Sequence, residues 1–583
     1  MTMSLVPAKQ SSAPRALSIL SYAILLAGII TIGLSIYMAV VSYSSLPYVD
    51  GWAEIDLASR SADLSFSGWL WEQHNEHRLV IPKLLVAVDL YFFRATQVFL
   101  LASVVVIQLL HLTLLAWSMR VLGNWRGDLW RTGVGVAAFC LFCPSQWFNF
   151  VLGFQVNFML LGLFVTLSFM GLLLYWIRSQ EQSGSRHATR YLLLSILGAL
   201  GATYSLANGN LVWPLLVAAG WLLRLRRPAL TGLAVTGASS TALYFYNYAS
   251  PTAQANAMSL QGVPARFFEF VAVYLGSPWV RANLLVAAIV GITGAGLACC
   301  SALRFSSYVR TKQAFSVQLV LTSLFCIATG FVTALGRLNF GVSYALSPRY
   351  QTFALIFWCC LGLLLLGSAA AIKSTPSPFL VVQICLLVVM LRGAYLAAYP
   401  IKEARMHGFQ LNVASMALLT GVHDWQQLSY VGMKQGYLMR EAPYLQRNQL
   451  SVYSRDVYSW LGKPLDFMFR LASPNECTGE LESSTNVVAV GDGTPGLRIT
   501  GWAWDFKHRE PPSMIVATTD GIVTGLGVVG DWRPIDRATR PAMTSNYIGF
   551  TGYVERARAS APVEIYAIQR SKPVTACMIA TVK

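Results

Sequence analysis

Negative charge is what this sequence has least of. Its first 400 residues hold only ten acidic side chains, and seven of them fall in one stretch: Asp50, Glu54, Asp56, Asp63, Glu72, Glu76 and Asp89. The other three are Asp128, Glu181 and Glu269. Any acid, base or metal chemistry in this part of the chain has few other places to sit. Charge of either sign is also sparse, at 12% against roughly 25% in soluble domains. With 55% hydrophobic residues and a mean hydropathy of +0.52, the composition excludes an ordinary soluble globular protein. Internal repeats and low-complexity tracts are absent as well.

The sequence is instead rich in long apolar runs. Runs able to cross about 30 Å of hydrocarbon are read near 17–43, 96–119, 132–145, 156–177, 191–207, 210–223, 230–247, 282–303, 314–335, 352–372 and 379–399. The chain is therefore expected to be a polytopic α-helical membrane protein with about eleven transmembrane helices. The net charge of +17 does not point to a nucleic-acid partner, because most of it lies among the spans. Up to residue 399 there are 24 Lys and Arg against ten acids, and beyond it 19 against 16. Alternate short loops carry the excess, in the pattern that places the more basic loops in the cytoplasm. The N-terminus is expected inside and the C-terminal domain outside. Lys9 and Arg15 precede an apolar run too long for a signal peptide, so cleavage is not expected.

Eight of the ten cysteines lie in predicted helices, where they pack as small apolar side chains. Cys477 and Cys577 bracket the last domain, and a disulfide between them is expected if that domain faces an oxidising compartment. The organisation predicted is a membrane module over 1–399 with a long first external loop at 44–95, a helical extracytoplasmic region over 400–475, and a β-sandwich over 476–583. The last follows from short alternating segments broken by Gly, Pro and Asp. Within the first loop, the segment opened by Pro82 reads as an amphipathic helix lying at the membrane interface.

Other external loops hold further polar groups. "CPSQWFNFVLGFQVNF" places Gln146, Asn149, Gln155 and Asn157 at helix ends, either bonding neighbouring helices or lining a sugar-sized cavity. "YSLANGNLVWP" adds Asn208 and Asn210. Arg266 and Glu269 are three apart on one short helix and read as an internal ion pair. Arg337 and Arg349 flank an otherwise uncharged external loop, where arginine is disfavoured, and their guanidinium forks suit a phosphate or carboxylate.

The layout resembles the GT-C superfamily of membrane glycosyltransferases. The features that carry this are many spans, a first external loop with a carboxylate soon after the first helix ("YVDGW"), amphipathic helices in that loop and a soluble C-terminal domain. The resemblance implies a polyprenyl-phosphate-linked sugar as donor, an envelope glycan or lipid as acceptor, and a multi-pass location in a bacterial inner membrane. It sets Asp50 as the general base. The paired carboxylates common in that superfamily are missing, since Gly51 follows Asp50, and Glu54 and Glu76 are left as further catalytic candidates.

Transfer from a lipid phosphate to a hydroxyl needs a base for the hydroxyl proton and cations for the leaving phosphate. Arg337, Arg349, His77 and Arg78 are the phosphate-binding candidates. Trp52, Trp71, Gln146, Asn149, Gln155 and Asn208 are those for sugar or acceptor, and in-line attack predicts inversion. Asp50 could alternatively cap the helix beginning at Trp52. His74, Glu76 and His77 could hold a metal, but their spacing does not set all three on one helix face, so no metal or other cofactor is expected. A flippase or transporter of lipid-linked sugars, or an O-antigen polymerase or ligase, are the other readings.

Overall fold

The computed structural model describes residues 13–59, 65–180, 185–249, 264–372, 377–535, 542–555, 562–570 and 574–582. Asp63 and Arg60 lie outside these, as do the side chains of Glu54 and Asp56.

The helices, in order, are α1 (Ala13–Val41), α2 (Gly51–Ser59), α3 (Val80–Phe92), α4 (Val98–Val121), α5 (Gly127–Leu141), α6 (Val156–Arg178), α7 (Ser185–Thr203) and α8 (Val212–Leu222). They continue with α9 (Arg227–Tyr244), α10 (Pro264–Gly276), α11 (Leu284–Leu303), α12 (Ala314–Arg337), α13 (Gln351–Ala370), α14 (Ser377–Leu396), α15 (Ala398–Leu419) and α16 (Gln435–Arg447). A helix stands at each of the eleven apolar runs. Among the described residues, however, only seven segments are long and apolar enough to cross a membrane: α1, α4, α6, α11, α12, α13, and α14 continued into α15. α5 has 15 residues and α8 has 11, so at 1.5 Å per residue they reach about 22 and 16 Å against a hydrocarbon core of roughly 30 Å. The other two runs that fall short are α7 and α9, of 19 and 18 residues; α9 is long enough, but its Arg227, Pro228 and run of Thr, Ser and Gly make it less apolar than the seven.

The chain divides into two units. The first comprises 1–39, 70–84 and 101–401, and the second 40–69, 85–100 and 402–583. The first is a helical bundle with close backbone approaches. A Cβ on Gly291 would fall 1.9 Å from the Ala272 carbonyl oxygen, so α11 lies directly against α10 only because glycine stands there.

The second unit carries a mixed sheet of β1 (Arg470–Leu471), β2 (Cys477–Val487), β3 (Gly496–Asp505), β4 (Met514–Thr519), β5 (Ile522–Asp531), β6 (Gly549–Glu555), β7 (Val563–Ile568) and β8 (Thr575–Val582). The strand order is β1-β8-β7-β4-β5-β6-β3-β2, antiparallel except for β1 with β8. The strands thus join edge to edge into one curled sheet, which makes the C-terminal β domain expected from the sequence. Alternating residues report which face of a strand is buried, not how many sheets share that face. The Cys477–Cys577 disulfide joins β2 at one end of the order to β8 near the other. Trp52 on α2 is fully buried in this unit's core with Leu418, Leu438 and Tyr553, so packing fixes the start of α2.

Candidate active site

The site in the first unit starts at a tight turn. His74 and His77 exchange backbone hydrogen bonds of 2.8 Å in both directions, and Asn75 between them takes a left-handed φ of 48°, which asparagine tolerates. Arg78, next in the chain, is buried. Its guanidinium donates to the carbonyls of Trp71, Tyr244, Tyr246 and Asn247, and its N–H donates to the Tyr244 hydroxyl at 2.9 Å. A buried cation wholly surrounded by carbonyls acts as a clamp. It fastens the turn to the end of α9, and that fixes where Glu76 and His77 stand.

The Glu76 carboxylate pairs with Arg337, the last residue of α12, and lies 3.8 Å from His77 Nε2. Arg337 also donates to the Tyr350 hydroxyl at 3.1 Å and to the Gly336 carbonyl at 3.0 Å. Burial works against ionisation of Glu76, but His77 and Arg337 together outweigh it and hold the carboxyl below its usual range. His77 Nδ1 accepts from the Ala207 N–H at 3.4 Å, which turns Nε2 toward Glu76.

These groups line a cavity of about 770 Å³, within the range of small-ligand sites. Its polar wall also has Arg266, Asn208, Asn210 and Tyr248, whose hydroxyl donates to the Glu76 carbonyl at 3.3 Å. Thr329, Thr333 and Asn339 add further polar groups, and the apolar part is formed by Phe158, Leu206, Phe267, Leu335 and Phe353. A turn between α7 and α8 supplies both asparagines. A Cβ on Gly209 between them would lie 1.9 Å from the Ala202 carbonyl oxygen, so this turn can press against α7 only with glycine there. No hydrogen bond or ion pair among the described residues engages Arg266. Two guanidiniums against one carboxylate leave the wall positive. The cavity is thus suited to a molecule with an anionic group, hydroxyls and an apolar tail.

Of the residues nominated from sequence, the cavity gathers Glu76, His77, Arg337 and Asn208. Arg78 stands behind it as the clamp just described. Arg349 is not in the lining; its guanidinium lies 5.6 Å from the Tyr350 ring and its carbonyl accepts from Asn149. Gln146 and Asn149 bond between helix ends, Gln146 to the Leu141 carbonyl and both to Thr352. Gln155 is fully buried, and neither amide atom has a partner among the described residues. Trp71 packs on Tyr204 at 5.9 Å, under Arg78.

Asp50, Trp52 and Glu54 belong to the second unit. Asp50 sits in the turn that leads into α2, and Glu54 lies outside the described side chains. A fully buried Trp52 has no face left for a sugar, which corrects its assignment to the acceptor site. Tyr248 and Tyr350 were not singled out from sequence, and Arg266 was read there only as half of an internal ion pair with Glu269. For Arg266 the signal was present, since the argument applied to Arg337 and Arg349 holds for any arginine in an external loop.

No family model matches this chain, and neither does any curated protein. Among solved structures it is similar to the archaeal oligosaccharyltransferase AglB from Archaeoglobus fulgidus, in complex with an inhibitory peptide and a dolichol-phosphate, at a TM-score of 0.38 and 13% identity. The match covers 72% of this chain and 59% of that one, so the chain spans under two thirds of its length.

Proposed function

We propose that this protein is a membrane glycosyltransferase that moves a sugar from a polyprenyl-phosphate donor to a hydroxyl of a cell-envelope glycan or lipid on the extracytoplasmic face. The observation that carries the reading is the cavity in which Glu76 and Arg337 face one another beside an Arg266 that has no hydrogen bond or ion pair among the described residues. In this scheme the donor phosphate lies against Arg266 and Arg337, and the first isoprene units lie along Phe158, Phe267 and Leu335. The acceptor oxygen attacks the anomeric carbon opposite the phosphate and its proton passes to Glu76. The bond from carbon to phosphate oxygen breaks, its electron pair leaves on the phosphate, and configuration inverts. The arginines act where negative charge grows, which is the largest single contribution in such transfers. In the resting site Glu76 is a weak base because Arg337 and His77 hold it ionised. A phosphate drawing on Arg337 loosens that pair and raises the carboxylate's basicity.

The test is transfer by purified protein in nanodiscs, with a panel of polyprenyl-phosphate sugars and envelope-glycan acceptors, comparing wild type with Glu76→Gln and Asp50→Asn. Wild-type transfer that collapses in Glu76→Gln while donor lipid still binds supports the reading. Collapse in Asp50→Asn with full activity in Glu76→Gln moves the base to Asp50. Lipid movement across liposomes without any transfer replaces the enzyme with a flippase.

A further inference from the structure

A second cavity, of about 440 Å³, lies among α5, α11, α13 and α14 of the first unit, and no residue lines both it and the Glu76 cavity. Its wall is apolar along most of its length, with Phe139, Trp358, Leu361, Leu365, Leu386 and Met390. From the head of α11 at Leu284 down to the lining residue Leu297 is about 20 Å at 1.5 Å per residue, more than half of a roughly 30 Å hydrocarbon core. The slot therefore has the depth of one leaflet. Two of the helices beside it are peripheral. α14 buries only Gln383 and Met390, and α11 buries only Ala287, Gly291, Gly294 and Ala298.

One end is cationic. Arg281 ahead of α11, Arg392 near the end of α14, and Pro144 and Ser145 just past α5 all line it, and they come from the same end of the bundle. Arg281 lies over the Tyr399 ring at 4.5 Å. Arg392 interrupts an apolar helix and has no hydrogen bond or ion pair among the described residues. The indole N–H of Trp279, also in the lining, has no acceptor there either. Among the described residues, no acid lines it. A cation in an apolar span is costly unless an anion or interfacial water meets it. A phosphate at this end, with an acyl chain below it, answers both the charge and the shape.

We propose that this slot binds one anionic phospholipid of the leaflet in which Arg281 and Arg392 lie, the phosphate against the two guanidiniums and the Trp279 N–H, the chain between α11 and α14. The site is independent of the transfer reading and is tested without an activity assay. Full-length protein is delipidated, exposed to equal phosphatidylglycerol and phosphatidylcholine, and its bound lipid counted by native mass spectrometry. Wild type is expected to retain one phosphatidylglycerol with at least tenfold preference, and Arg392→Gln to reduce that preference to about twofold.

A phosphatidylglycerol with a photoreactive acyl chain, used on wild type alone, is expected to label α13 and α14 near Trp358, Leu386 and Met390, so the outcome does not hang on the variant folding. Equal retention of the two lipids, or labelling spread evenly over the other outward-facing helices, overturns the proposal. Displacement of phosphatidylglycerol by an equimolar polyprenyl phosphate overturns the assigned occupant.

Discussion

Glu76 and Asp89 come from the same acid-rich stretch, one in each unit, and their surroundings differ in kind. Glu76 lies beside Arg337 and His77 in the wall of an open cavity and is held below the usual carboxylate range. Asp89, on the amphipathic α3 outside the spanning helices, is buried and accepts from the backbone N–H groups of Gln97 and Phe99, at 3.0 and 3.2 Å. Burial dominates there and pushes its pKa up to about 6. A carboxylate facing a guanidinium, an imidazole and open space is available for chemistry, while one facing backbone amides ties a turn together. The residue type alone does not distinguish them.

The widest separation of the two is expected from Glu76→Gln, which removes proton acceptance and half of the Arg337 pair at nearly constant volume. Transfer should fall about 10²- to 10⁴-fold, the range for a lost general base, with helical circular dichroism unchanged. Asp89→Asn in the same assay sets the scale for a purely structural acid. Equal losses in both would dissolve the distinction.

A second large effect is expected in the second unit. The disulfide spans 100 residues of sequence, and removing a bridge of that kind costs about 2–5 kcal/mol. Replacing Cys477 and Cys577 by Ser should lower the denaturant midpoint followed by tryptophan fluorescence of the β domain. An unchanged midpoint would mean that the ladder of β2 with β3 holds the sheet's end without the bridge.

Arg266 sharpens the contrast inside the first unit. Arg337 already shares its charge with Glu76, whereas Arg266 pairs with no acid among the described residues, so it should contribute more to donor affinity. Charge-assisted hydrogen bonds are worth about 1.5–3 kcal/mol, so Arg266→Ala should weaken donor-lipid binding about 10- to 150-fold, with Lys restoring part. A kcat loss at constant donor affinity would instead put Arg266 at the acceptor.

The sequence showed where the helices are, because apolar runs record burial in lipid directly. It also showed the disulfide and the strands of the last domain. It did not show which runs are long enough to cross alone, since a break at Cys143 or Leu223 looks like any loop. Half of the candidate site was legible through rarity: acids and external arginines are so few that Glu76 and Arg337 stood out. Trp52 and Arg78 misled for one shared reason. A tryptophan in a loop can fill a core as readily as stack on a sugar, and a buried arginine can be satisfied by carbonyls as well as by phosphate. Which occurs depends on contacts between segments far apart in the chain.

The smallest effect is also the one that tests the comparison at its root. A carboxyl whose folded pKa is raised from 3.8 to about 6 favours the fold when protonated. Its contribution is fully present below about pH 4 and is lost as pH rises through about 6, beyond which the profile levels; the size is at most about 3 kcal/mol. Glu76, lowered, has the opposite sign: its contribution is present above its ordinary pKa and lost on acidification. Subtracting the Asp89→Asn stability profile from that of wild type, by urea midpoints between pH 4 and 7.5, isolates Asp89 from the other acids. Asparagine keeps an acceptor for Gln97 and Phe99 and never ionises, so that variant should match wild type near pH 4 and exceed it at neutral pH. If it is instead the less stable of the two at neutral pH, the ionised form of Asp89 supports the fold as that of Glu76 does, and the two acids of this stretch are alike after all.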